Sequence, residues 1–403
     1  MSVAGAERTP AETTAPPAAP VPYSLWELVR YFLRLGAIGF GGPVALIEYM
    51  RRDLVEERRW IPADEYRDGL ALSQLAPGPL AAQLATYLGY VHYGVPGATL
   101  VSLAFVLPSF LMVVALGWAY VAYGGLAWVQ AVFYSVGAAV IGIIAHSAYK
   151  LTRSSIGRDR LRWAVYLVSA AVTVVTESEI VWLFLAAGVV VWLVRAPPRT
   201  WRMTGGRLAA FAAPAAPLAA AGAGADAGML GRIFGFFLYA GSFVFGSGLA
   251  IVPFLYGGLV KERGWLTDHQ FLDAVAVALI TPGPVVITTG FIGYLLAGLA
   301  GASVAALATF LPAYVLTILP APYFKRHGKR PGIAAFVDGV TAAAIGAISG
   351  AVVVLGRRSV VDLPTVLIAA VVLVLLWRKK VPEPLVVLAA ALVGLVVHPL
   401  VRG

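Results

Sequence analysis

The sequence predicts an all-α polytopic membrane protein of two inverted homologous halves, with helices broken at FGGP and PGP motifs. Three observations carry this. Charged residues are 12% of the chain, against ~25% in soluble domains, while hydrophobic residues reach 60%. The apolar runs are continuous, as in Val101 to Leu116 and Val366 to Leu376, which suits helices rather than alternating barrel strands. Finally, residues 36–79 reappear motif for motif in residues 241–284.

The composition excludes a disordered chain, a disulfide scaffold and an ordinary cytosolic enzyme. At about 20 residues per crossing, the apolar stretches allow about ten or more spans. A net charge of +10 first suggests nucleic acid. The basic residues, however, cluster at the ends of apolar runs, where the positive-inside rule places them, so no nucleic-acid partner is expected. The chain has no Cys, which removes thiol chemistry and thiolate metal sites. Its five His show no ligand spacing, so neither metal nor cofactor is expected. No G-x-S-x-G, H-E-x-x-H or Walker A pattern occurs, and the chain is not read as an enzyme.

Residues 1–22 hold five Pro and no apolar h-region, so they read as a disordered tail rather than a signal peptide. Residues 23–195 form the first repeat. A helix over about 25–39 leads to a Gly-rich break and an amphipathic helix over about 44–59. A helix broken at PGP follows over about 63–91, then apolar helices over about 97–119, 127–150, 162–176 and 180–194. Residues 196–229 are a basic, then Ala/Pro-rich linker. Residues 230–403 repeat the plan at about 231–245, 249–262, 268–297, 301–319, 333–356, 363–377 and 383–400.

The duplication rests on paired motifs at one offset. Phe40-Gly41 falls on Phe245-Gly246, Glu57-Arg58-x-Trp60 on Glu262-Arg263-x-Trp265, and Pro77-Gly78-Pro79 on Pro282-Gly283-Pro284. After the loss of one residue, Gly89-Tyr90, Gly97, Pro108 and Gly142 fall on Gly293-Tyr294, Gly301, Pro312 and Gly346. Loop charge sets the orientation. The first-half loops run uncharged, basic (Lys150 to Arg162), acidic (Glu177, Glu179) and basic (Arg195 to Arg207), hence out, in, out, in. The second-half loops run the opposite way, beginning with basic Lys325 to Arg330. Inversion with an even number of crossings per half requires one more crossing between them. Residues 208–225 are the candidate, the alternative being a surface linker.

Gly and Pro inside apolar runs point to the site. A half-helix beginning inside the bilayer turns free N–H groups and a partial positive charge toward whatever precedes it. Two such starts in inverted copies build an anion site near the midplane, the plain alternative being a packing kink. The substrate-binding candidates are Gly41, Gly42, Pro43, Gln74, Pro77, Gly78, Pro79 and Gln83 in the first half. Gly246, Ser247, Gly248, Thr281, Pro282, Gly283, Pro284, Thr288 and Thr289 are those of the second. The amides and hydroxyls suit oxyanion oxygens, or else hydrogen-bond between helices. Arg58 and Arg263 are symmetric cations that either attract the anion or anchor the interface beside Trp60 and Trp265, with Glu57 and Glu262 as salt partners. Asp68 and Asp273 are symmetric acids that either couple protons or start helices near the interface. Asp338 and His146 read as unpaired and structural.

These residues resemble those of the chromate ion transporter superfamily in its long two-domain form. The resemblance rests on Gly39-Phe40-Gly41-Gly42-Pro43, Glu57-Arg58-Arg59-Trp60 and Leu72-Ser73-Gln74-Leu75-Ala76-Pro77-Gly78-Pro79, and covers about residues 24–195 and 230–400. It implies a bacterial inner-membrane carrier that expels chromate, with sulfate as the look-alike anion, and confers chromate resistance. By position, Gly41, Gly42, Pro43, Gln74, Pro77, Gly78 and Pro79 are the motif residues. The second copy departs at Ser247-Gly248, and Leu279 stands opposite Gln74, so the half-sites are unequal. The expected partners are chromate or a similar oxyanion, the lipid bilayer and a second copy in a homodimer. The alternatives are a carrier of sulfate or another oxyanion, with or without proton coupling, and an anion channel.

Overall fold

A computed structural model describes residues 22–40, 42–124, 126–177, 180–197, 225–244, 251–322, 331–360, 362–378 and 381–402. The tail up to residue 21 and the linker crossing expected over 208–225, Ala225 apart, lie outside the described residues. Among the described residues the chain is helical and has no strand. Among the described residues four helical runs are long and apolar enough to cross a membrane: Leu80–Tyr123, Trp128–Ser155, Val285–Ile318 and Pro331–Arg357.

In the first repeat, α1 (Leu25–Ile38) starts at a capping box, Ser24 and Glu27 each bonding the other's backbone amide. α2 (Gly42–Met50) widens into a π-helical turn over Arg51–Glu57. The two arms fold back on each other. Tyr23 stacks on Trp60 at 4.9 Å, and Tyr31 donates to Asp53 at 3.3 Å.

α3 (Ala63–Leu75) and α4 (80–93) make a second hairpin, with Pro77-Gly78-Pro79 at its tip. A Cβ built on Gly69 lies 2.3 Å from the Tyr87 ring, and His92 lies 3.0 Å from Glu65. In a collinear broken helix those pairs would be more than ~25 Å apart. The expected broken span is therefore a fold-back. α3 has 13 residues and rises about 20 Å, short of the ~30 Å hydrocarbon thickness.

The run Leu80–Tyr123 reverses at Gly94 (φ 60°), separating α4 from α5 (95–123). Gly89 and Gly97 meet backbone to backbone, and Thr86 lies 2.7 Å from Ser102. α6 (Ala127–Ser155), α7 (Arg160–Thr176) and α8 (Val181–Arg195) complete the repeat.

The second repeat follows the same plan. α9 (Ala225–Ser242) folds against α10 (Ile251–Tyr256) and its π-helical continuation Gly257–Glu262, with Phe236 5.9 Å from Trp265. α11 (Asp268–Ile280) and α12 (288–296, after a 3₁₀ turn at Val285–Ile287) flank the second PGP. Gly298 (φ 58°) turns α12 into α13 (299–318). α14 (Pro331–Ser359), α15 (Leu363–Arg378) and α16 (Glu383–Arg402) close the chain.

The repeats interlock. α6 packs on α15 and α16, while α14 packs on α7 and α8. Small residues permit the approach. Cβ atoms built on Gly142 and Gly346 would meet the Ala369 and Tyr166 carbonyls of the other repeat. α5 packs on both arms that flank Gly298, with Thr99 2.5 Å from Tyr314 of α13 and Gly117 against Tyr294 of α12.

Candidate functional site

The hairpin tips of the two repeats meet and are tied to each other reciprocally. The Gly78 amide donates to the Val244 carbonyl at 2.5 Å, and the Gly283 amide to the Gly39 carbonyl at 2.9 Å. Gly39 and Val244 hold equivalent places just before the two Phe-Gly motifs. Each PGP turn of one repeat thus grips the first hairpin of the other. Gly78 has φ +146° and Gly283 φ +90°. A Cβ on Gly78 would lie 2.7 Å from the Ala313 Cβ, and one on Gly283 2.4 Å from the Ser109 Oγ. Only glycine fits either position.

Gly78 and Gly283 are substrate-binding candidates, but their backbone amides are not free donors. They are spent between the repeats. The amides of the first helical turns, Leu80, Ala81 and Ala82 after Pro79 and Val285 and Val286 after Pro284, have no intrahelical acceptor among the described residues. Gln83 is buried beside the tip. Its Nε2 donates to the Pro77 carbonyl at 2.9 Å, and its Oε1 has no partner. Thr281, Thr288 and Thr289 are buried too, but their hydroxyls donate to Ala278, Val285 and Val286 of their own turns. Gln74 is exposed and apart from this group. Gly42 and Pro43 open α2, whereas Gly41, Gly246, Ser247 and Gly248 lie outside the described residues.

The charged candidates lie at the hairpin bases, not the tips. Arg58 covers the Tyr31 and Trp60 rings at 5.4 and 4.6 Å, and Arg263 covers Phe236 and Trp265 at 4.6 and 5.7 Å. Arg263 also pairs with Glu262, whereas Glu57 faces Arg52. The two acids differ. Asp68 is partly exposed, but Asp273 is buried and accepts a 2.7 Å hydrogen bond from Tyr120 of the other repeat. In the sequence the place equivalent to Tyr120 is Phe324, which carries no hydroxyl.

Asp338, read from the sequence as a structural residue without a counterpart in the other repeat, joins Arg162 and Arg195 in an ion network with Asp159. It ties α7 and α8 to α14. Its partners are far away in sequence, which is why the pairing was missed. The His146 Nδ1 has no partner. Among the described residues no group of three or more His, Asp or Glu forms a metal site.

Two repeats of apolar helices, interlocked and meeting at helical-hairpin tips that hold no cation among the described residues, define a multi-pass membrane protein of transporter type. A family model described as Chromate transporter matches residues 26–192 and 231–395, one match per repeat. The chain belongs to the chromate transporter family. It is 67% identical over 382 residues to the chromate transport protein of Cupriavidus metallidurans, covering 94% of this chain and 95% of that one. It is 64% identical over 377 residues to the probable chromate transport protein of Synechococcus elongatus, covering 93% and 96%. A chromate transport protein of Pseudomonas aeruginosa is 33% identical over 419 residues, covering 99% of each. No solved structure matches.

Proposed function

We propose that this protein is a secondary carrier of the bacterial inner membrane that exports chromate from the cytoplasm by alternating access. The observation that carries the reading is the reciprocal clasp between hairpin tips, Gly78 to Val244 and Gly283 to Gly39. The halves are inverted across the bilayer. The base of the first repeat's hairpins, rich in Arg51, Arg52, Arg58, Arg59 and Arg67, faces the cytoplasm. The second repeat's base faces out, where Lys261 pairs with Glu177 of the acidic α7–α8 turn. Hairpins from both faces then form one barrier. Opening it from one side while the clasp holds on the other exposes the anion to each face in turn.

The oxyanion sits before the first turns of α4 and α12, held by their free amides and by the second N–H of Gln83. Helix dipoles attract it without a fixed cation, so binding stays weak enough for release. Moving a dianion out of an inside-negative cell gains about 2 × 2.3 kcal/mol per 100 mV, enough for about three decades of gradient. The names of the relatives favour chromate, and export of it would confer resistance. The buried Asp273 favours a second reading, transport of sulfate or another oxyanion with proton coupling.

The test is chromate accumulation in a chromate-sensitive bacterium, with and without this protein, across a range of sulfate. The expected result is lower internal chromate, abolished when the membrane potential is collapsed. Unchanged or higher internal chromate contradicts export.

A further inference from the structure

A cavity of about 620 Å³ lies between α6, the α6–α7 turn, α7 and α14, well away from the hairpin tips. Its floor is Ala145, Ala148 and Val352. The polar side chains along it are satisfied within their own helices, Thr152 donating to Ala148 at 2.8 Å and Ser349 to Ile345 at 3.1 Å. The slot is therefore effectively apolar along its length. At its mouth stand Arg153 and Arg158, both exposed and neither in an ion pair among the described residues. Other arginines on the same side, Arg162 and Arg195, are committed to carboxylates. Trp163 and Tyr149 rim the opening, and both are exposed. Ala145, Ala148, Tyr149, Thr152 and Arg153 recur at helical spacing, so the apolar floor leads along α6 directly to the guanidinium mouth.

An apolar slot ending in two uncommitted guanidiniums and an aromatic rim matches one molecule of a membrane lipid. The chain fills the slot, and the phosphate meets the arginines where interfacial aromatics collect. We propose that this cavity is a binding site for an anionic phospholipid on the basic, cytoplasmic face. The phosphodiester accepts from Arg153 and Arg158, and one acyl chain lies along Ala145, Ala148 and Val352. The site wedges a lipid between the first repeat (α6, α7) and the second (α14).

The full chain in zwitterionic detergent, titrated with phosphatidylglycerol, tests this by native mass spectrometry and thermal midpoint. One tightly retained phosphatidylglycerol is expected, with a raised midpoint. The double variant Arg153→Gln/Arg158→Gln should weaken retention about 30-fold, from ~1 kcal/mol per basic residue near the headgroup. Ala145→Phe keeps both arginines but fills the slot, and should also lose the lipid. Arg30→Gln/Arg34→Gln, elsewhere on the surface, should retain it. Equal retention of phosphatidylcholine, or retention surviving both cavity variants, would overturn the assignment. So would displacement by millimolar inorganic phosphate, since the occupant would then be a free anion.

Discussion

Gly78 and Gly283 carry the sharpest chemical demand in the molecule. Both adopt positive φ, and both have neighbours that leave no room for a methyl group. Gly78→Ala and Gly283→Ala should each abolish chromate transport and cost about 1–3 kcal/mol in stability. Transport assays alongside thermal midpoints check this, and full activity in either variant contradicts the clasp. Asp273 and Tyr120 make a second case at this scale. A buried carboxylate whose hydrogen-bond partner is a neutral hydroxyl is costly to charge, which is the ground for the proposed proton coupling. Asp273→Asn should remove the dependence of anion exchange on external pH, measured in vesicles at fixed potential. An unchanged pH profile contradicts a proton role. Sequence alone ranked Asp68 and Asp273 as equals, because their motif contexts are the same. What separates them is Tyr120, supplied by a distant helix.

At the scale of elements, most helices were legible. The apolar runs, the capping pairs Ser24 with Glu27 and Thr267 with Gln270, and the loop charges mark their ends. The duplication was legible too, since paired PGP and Glu-Arg-x-Trp motifs align at one offset. The fold-back at PGP was not. Pro-Gly-Pro ends one helix and starts the next whether the second continues or reverses. The contact that settles it, Gly69 against Tyr87, joins residues a hairpin apart. Gly69→Leu should therefore force α3 from α4, at about 1–3 kcal/mol of overpacking, and lower both thermal midpoint and transport. A midpoint equal to that of the wild type contradicts the hairpin. The reversals at Gly94 and Gly298 had a usable signal, the Gly89/Gly97 and Gly293/Gly301 pairs, whose spacing lets two backbones touch across a turn.

Across the whole molecule, the repeats exchange helices rather than sit side by side. α6 lies among the second repeat's helices and α14 among the first's, so neither half presents a complete core alone. The covalent tie is the linker, and motion of one repeat against the other must rearrange the contacts of α5 with α12 and α13 and the clasped tips as well as the interlocked α6 and α14. Because the chain has no native Cys, an engineered pair reports on that motion cleanly. A Cβ built on Gly117 lies 3.2 Å from the Tyr294 Cβ, close to the ~3.8 Å between disulfide-bonded residues. The decisive measurement is chromate counterflow in proteoliposomes with Gly117→Cys/Tyr294→Cys, oxidised and then reduced. Alternating access predicts a saturable overshoot in the reduced protein, its loss on oxidation and its return with reductant. Equal flux with the bridge closed and open, or a linear flux without overshoot, would contradict a carrier whose two repeats move against each other.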